Sequence, residues 1–141
     1  MTASDQASHF GRFNINEIAE SFPETADTLL LDKYLTNETV ASARVVRIYR
    51  GTPPHYHATC DEHLYVLSGR GTFWIGDESN CGEFEPGHFL NFKRGVVHAL
   101  PKIIEAPLVF LAIDTPRRDP TDVIFVNPAD GTPESFVRRV E

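Results

Sequence analysis

The spacing of apolar and polar positions along the chain changes period once, near the start. Over residues 14–22 (Asn-Ile-Asn-Glu-Ile-Ala-Glu-Ser-Phe), Ile15, Ile18, Ala19 and Phe22 fall at i, i+3, i+4 and i+7. That spacing predicts a short helix with one apolar stripe, stopped by Pro23. From there on the pattern is β. Residues 28–35 and 40–50 are rich in β-branched and apolar side chains, and shorter runs follow at 64–67, 72–75, 89–92, 96–100, 108–113 and 123–126. Turn signals separate them: Arg50-Gly51-Thr-Pro-Pro54, Ser68-Gly-Arg-Gly71, Gly76-Asp-Glu-Ser-Asn80, Glu85-Pro-Gly87, Arg94-Gly95 and the stretch 115–120. Many short, evenly spaced strands without a long helical stretch among them predict an all-β sandwich or barrel.

A chain of 141 residues suits one domain and can bury a core without disulfides or a structural metal. Residues 1–12 show no period. The expected organisation is an N-terminal arm with the short helix over 1–27, a barrel over 28–126, and a C-terminal tail over 127–141 packing on the barrel.

Charge narrows the partners. Acidic residues outnumber basic ones 20 to 13, for a net charge of −7. A nucleic-acid partner needs a clustered basic face, and an anionic membrane surface also selects for positive charge. Neither is expected. No apolar run approaches the roughly 20 residues that span a bilayer. The opening Met1-Thr-Ala-Ser-Asp-Gln6 lacks the basic and apolar stretches of a secretory signal, so the expected location is cytoplasmic. Cys60 and Cys81 make no disulfide framework, which suits that compartment.

The candidate chemistry lies in the histidines, five of which fall between residues 55 and 98. On an extended backbone i and i+2 point to the same side, so His55 and His57 can reach one ion. Glu62 follows after a bend, and His98 can join if the chain folds over. Three imidazoles and one carboxylate suit Fe, Mn, Co, Ni or Zn and suit Ca or Mg poorly.

These residues carry a resemblance. Gly51-Thr-Pro-Pro-His55-Tyr-His57-Ala-Thr-Cys-Asp-Glu62-His-Leu-Tyr-Val-Leu-Ser-Gly69 is similar to the first cupin motif, G-x5-H-x-H-x3or4-E-x6-G. Gly87-His-Phe-Leu-Asn-Phe-Lys93-Arg-Gly95-Val-Val-His98-Ala-Leu-Pro-Lys102 is similar to the second, G-x5-P-x-G-x2-H-x3-N. Three positions depart from the pattern: only three residues separate Gly51 from His55, Lys93 stands for Pro, and Lys102 stands for Asn. None is a ligand position. The resemblance implies a double-stranded β-helix (jelly-roll) barrel with one divalent transition metal on His55, His57, Glu62 and His98. It also implies a homodimer. The apolar run Leu29-Leu30-Leu31, beside a free strand edge, is the expected contact.

Other residues carry milder expectations. Asp61 rivals Glu62, but the six-residue gap to Gly69 selects Glu62. His63 should face away from the site, His88 should be a solvated turn residue, and His9 should be uninvolved. Cys60 should be buried and Cys81 exposed. Arg44, Arg47 and Arg50 are expected to form a ladder on an exposed face, although an inward arginine paired with an anion is the alternative. Phe136 and Arg138-Arg139 belong to the tail. The expected function is metal-dependent chemistry on a small organic molecule, leaning to an iron or manganese dioxygenase. A Lewis-acid isomerase or lyase and a non-catalytic ligand-binding module are the alternatives.

Overall fold

Helix α1 (Ile15–Ser21) forms where the stripe predicts it, with Asn14 as N-cap accepting from the Glu17 N–H at 3.2 Å. Its apolar face covers one side of a curled sheet, where Phe22, Leu31, Val45 and Val109 make a small outer core. The structure is a computed structural model describing residues 11–141. His9 therefore lies outside the described residues.

Ten strands follow: β1 (Leu30–Glu38), β2 (Ala41–Ile48), β3 (Thr52–Tyr56), β4 (Asp61–Ile75), β5 (Asp77–Phe84), β6 (Phe89–Phe92), β7 (His98–Leu100), β8 (Ile103–Thr115), β9 (Ile124–Phe125) and β10 (Val137–Arg139). They form one sheet in the order β10-β1-β2-β8-β4-β7-β3-β9, with β5 and β6 also paired to β4. Every pairing is antiparallel except β1 with β10.

Alternation decides what faces the interior. In β2, Val46 and Ile48 enter the main core with Leu64, Phe92, Leu108 and Phe110, while Val45, on the opposite face, belongs to the outer core under α1. Burying a side chain such as Phe110 stabilises the fold by about 1.5–3 kcal/mol. Two polar positions obey the same alternation. Ser42 and Arg44 share the inward face of β2, and both are buried.

Three of the turn signals need correction. Residues 52–54 are strand, not turn. Pro53 and Pro54 donate no backbone hydrogen bond, so β3 registers with β7 only at Thr52↔Leu100 and His55↔His98. Ser68–Gly71 is not a turn either, because β4 runs straight through it. Its register against β8 shifts there, and Gly69 (φ +84°) takes a conformation that admits no side chain, since a Cβ would meet the Pro107 carbonyl oxygen at 2.5 Å. Of Gly76–Asn80 only Gly76 turns. β5 starts at Asp77 and is almost wholly exposed, so its polar composition hid a strand. Finally, the tail contains a four-residue helix α2 (Pro133–Phe136) and β10, which pairs with the β1 edge at Leu30, Leu31 and Asp32. Leu30 and Leu31 are buried within the chain, so the free apolar edge that suggested a dimer contact does not exist.

Candidate metal centre

The strand pairing that the two prolines restrict is the one that builds the site. His55 on β3 stands directly across from His98 on β7, with ring centroids 4.4 Å apart. His57, just beyond the end of β3, brings its ring 5.2 Å from His55 and 5.3 Å from His98. One nitrogen from each lies within 4.8 Å of the others, and all three side chains are buried.

Their second nitrogens explain how they are held. Nδ1 of His55 lies 2.7 Å from the Pro53 carbonyl, Nδ1 of His57 lies 2.7 Å from the Asp122 carbonyl, and Nδ1 of His98 lies 3.0 Å from the Val96 carbonyl. A carbonyl only accepts, so each Nδ1 carries the proton and donates. Each Nε2 then presents a lone pair. Nε2 of His98 is buried without a hydrogen-bond partner among the described residues. Three lone pairs converging in a buried site, one of them orphaned, fit a metal ion.

Glu62 comes to the same place from β4, where it stands opposite Phe92 on β6 and Asp114 on β8. Its Oε1 lies 3.6 Å from Nε2 of His57 and 3.7 Å from Nε2 of His98. Those gaps are too long for hydrogen bonds and close to the ~3.4 Å between tetrahedral ligands about 2.1 Å from a shared ion. Burial opposes ionisation of Glu62, but the surrounding His57, Arg118 and His98 hold its carboxyl well below the usual carboxylate range. Burial also disfavours the charged form of two of the imidazoles: His55 is pushed well below the ordinary histidine value and His98 down to about 4. The structure thus brings together all four residues singled out from sequence.

Sequence reasoning missed what surrounds them. Arg44 is not on an exposed ladder; it is 1% exposed and pairs with Asp32 at 2.9 Å, Asp114 at 3.1 Å and Glu62 at 3.3 Å. These carboxylates outweigh the burial that would discharge it and raise its pKa further. The other two arginines do face outward. Arg47 stacks on Tyr49, and Arg50 donates to the carbonyls of Ala26, Asp27 and Thr28. Arg118, from the stretch read as a turn, is buried 3.5 Å from Oε2 of Glu62. Asp122 binds the loop after β3, its carboxylate accepting from the N–H groups of Ala58 and Thr59 and from the Thr59 hydroxyl. The inward spacing of Arg44 was the one available signal.

The remaining residues lie where expected. Asp61 accepts from the backbone and side chain of Arg94, away from the centre. His63 lies near Thr115 and Asn91 and stacks on Phe89, and His88 sits in an exposed turn near Glu85. Cys60 is buried, its thiol pushed up to about 12 chiefly by burial, and Cys81 is exposed. Beside the centre is a cavity of about 30 Å³ walled by Leu30, Val46, Ile48, Phe92 and Phe110, with Arg44 and Arg118 at its polar side. Phe136 closes it, 4.9 Å from the His55 ring.

A cupin-domain family model matches residues 45–114, which include every residue of the histidine–glutamate cluster. No curated protein sequence matches the chain. Among solved structures the chain is similar to KdgF from Halomonas sp., at 22% identity over 78% of this chain and 97% of the other, with a TM-score of 0.63. It is similar to a putative mannose-6-phosphate isomerase from Ralstonia eutropha, at 20% identity over 74% and 97%, with a TM-score of 0.62. An uncharacterised Klebsiella pneumoniae protein with a double-stranded β-helix domain matches at 15% identity over 75% and 90%, with a TM-score of 0.59. These likenesses establish a shared fold. Together with the family match, they show that the chain belongs to the cupin superfamily, with its double-stranded β-helix fold.

Proposed function

We propose that the protein is a cytoplasmic metal-dependent enzyme acting on a small organic molecule, with one divalent transition metal held by His55, His57, Glu62 and His98. The observation that carries this reading is the set of three Nδ1–carbonyl bonds, which aims three Nε2 lone pairs into one buried site. When bound, such an ion supplies an open position for O2 or a chelating oxygen and polarises what it holds. The chain's own residues do the rest. Leu30, Val46, Phe92 and Phe110 keep water out, and Glu62 supplies negative charge next to the imidazoles.

Apolar walls beside a redox-capable ion favour dioxygenation, with iron or manganese as the metal. A Lewis-acid isomerase or lyase is the second reading, favoured by the Glu62–Arg118 contact, which places an acceptor and a donor side by side. A homodimer fits the same picture through Tyr65 and Phe89, exposed cross-strand neighbours on the outer face of β4 and β6.

The test is elemental analysis of protein purified without added metal. About one ion per chain is expected, with His57→Ala and His98→Ala each losing most of it. Equal metal content in the wild type and His98→Ala would overturn the assignment. Oxygen uptake with an iron-loaded sample and a chelating substrate separates dioxygenation from the Lewis-acid reading.

A further inference from the structure

Two guanidiniums border the cavity, and they are not equally satisfied. Arg44 holds three carboxylates at 2.9–3.3 Å. Arg118 has one carboxylate contact among the described residues, Glu62 at 3.5 Å, already shared with Arg44. Its remaining close polar contact is the His57 ring, whose nitrogens lie 3.3 and 3.4 Å from Nη1, and Nδ1 of that ring already donates to the Asp122 carbonyl. Nε of Arg118 is buried with no partner among the described residues, and the side chain is only about 2% exposed. A buried, underpaired guanidinium is costly unless an anion meets it.

The chemistry of the unused group gives the kind of ligand: a guanidinium carries only donors, so its free Nε meets an acceptor, and an anionic one best. Size gives the group: the cavity of about 30 Å³ holds roughly two water-sized atoms, which a carboxylate's two oxygens match.

We propose that the site takes a small carboxylate, with Arg118 donating to its oxygens beside the histidine cluster. A guanidinium is suited to this because its donors form a planar fork that matches a carboxylate in two-point contact. The inference deepens the enzymatic reading and relies on it for the adjacent ion. Arg118 is then a binding residue, and a larger substrate would enter with its carboxylate end foremost.

The experiment compares glycolate with its neutral amide, glycolamide, by calorimetric titration into zinc-saturated protein. Glycolate should bind at least tenfold more tightly. Arg118→Gln should abolish that preference and Arg118→Lys retain part of it, with zinc content unchanged in both. Equal affinities for the two probes on the wild type would overturn the inference, as would an intact preference in Arg118→Gln. Should Arg118→Gln not fold, the wild-type pair and Arg118→Lys decide. If the protein holds no zinc, the same titrations on the metal-free form apply. A glycolate preference lost with Arg118 then upholds the carboxylate site while the metal reading falls, and no preference overturns the carboxylate site as well.

Discussion

Phe92 and His98 lie face to face, with ring centroids 3.9 Å apart and planes 4° from parallel. The stack fixes the imidazole plane, and the Val96 carbonyl fixes its rotation. Phe92 thereby both fills the core and orients a ligand candidate. Phe92→Ala should cost about 3–5 kcal/mol of stability from the lost burial and the cavity left behind. Metal affinity should also fall about tenfold, measured by competition with a chromogenic chelator. Unchanged affinity in a folded Phe92→Ala protein would reduce the stack to packing alone.

Asp122 controls three consecutive residues. Its carbonyl holds the His57 ring, and its carboxylate accepts from the backbone of Ala58 and Thr59. Replacing the carboxylate leaves the carbonyl in the sequence but frees the loop that positions it. Asp122→Ala should weaken metal binding by about 10–100-fold, in the range typical of groups that orient ligands. Asp122→Asn keeps an acceptor and should recover part of the loss. Chelator competition on both variants reads the difference, and identical affinities for Asp122→Ala and wild type would rule out this positioning role.

Acid should act on the metal-free protein through the buried histidines. His98 is pushed down to about 4 and His55 well below its ordinary value, chiefly by burial. Between about pH 6.5 and 4 the unfolded chain takes up protons on these residues and the folded chain does not. Stability is therefore fully present above pH 6.5 and falls with acidification, by up to about 1.4 kcal/mol per pH unit for each histidine. Proton competition with a bound ion should set in nearer pH 4 than 6.5. Urea denaturation of metal-free protein at pH 4.5, 5.5 and 6.5 checks this, and a flat profile would contradict it. His98→Ala should give a shallower slope than wild type.

Three of the four clustered residues were legible in sequence because they sit at short intervals, and His98 through its place in the second motif. His55 and His57 share a side through the i, i+2 rule, and Glu62 is placed by a spacing that the fold constrains. Arg118 was not legible. It lies in a stretch rich in Pro, Arg and Asp that reads as a solvated turn, and only tertiary folding carries it under the barrel. Arg44 was half legible: its position on β2 allowed an inward side chain, but its partners Asp32 and Asp114 come from two other strands. β3 escaped because two prolines mimic a turn, and β5 because an exposed strand need not be apolar. Local pattern found the histidines and the glutamate that cluster, while long-range pairing supplied the residues that surround them.

Phe136 gives the pocket a wall that is made last. Every residue of the histidine–glutamate cluster precedes position 99, and the barrel strands are complete at Phe125, yet the ring that closes the cavity over His55 arrives with α2 and is pinned only when β10 pairs with β1. The wall over His55 therefore hangs on a three-residue strand pairing at the end of the sheet, and not on the barrel strands that carry the cluster.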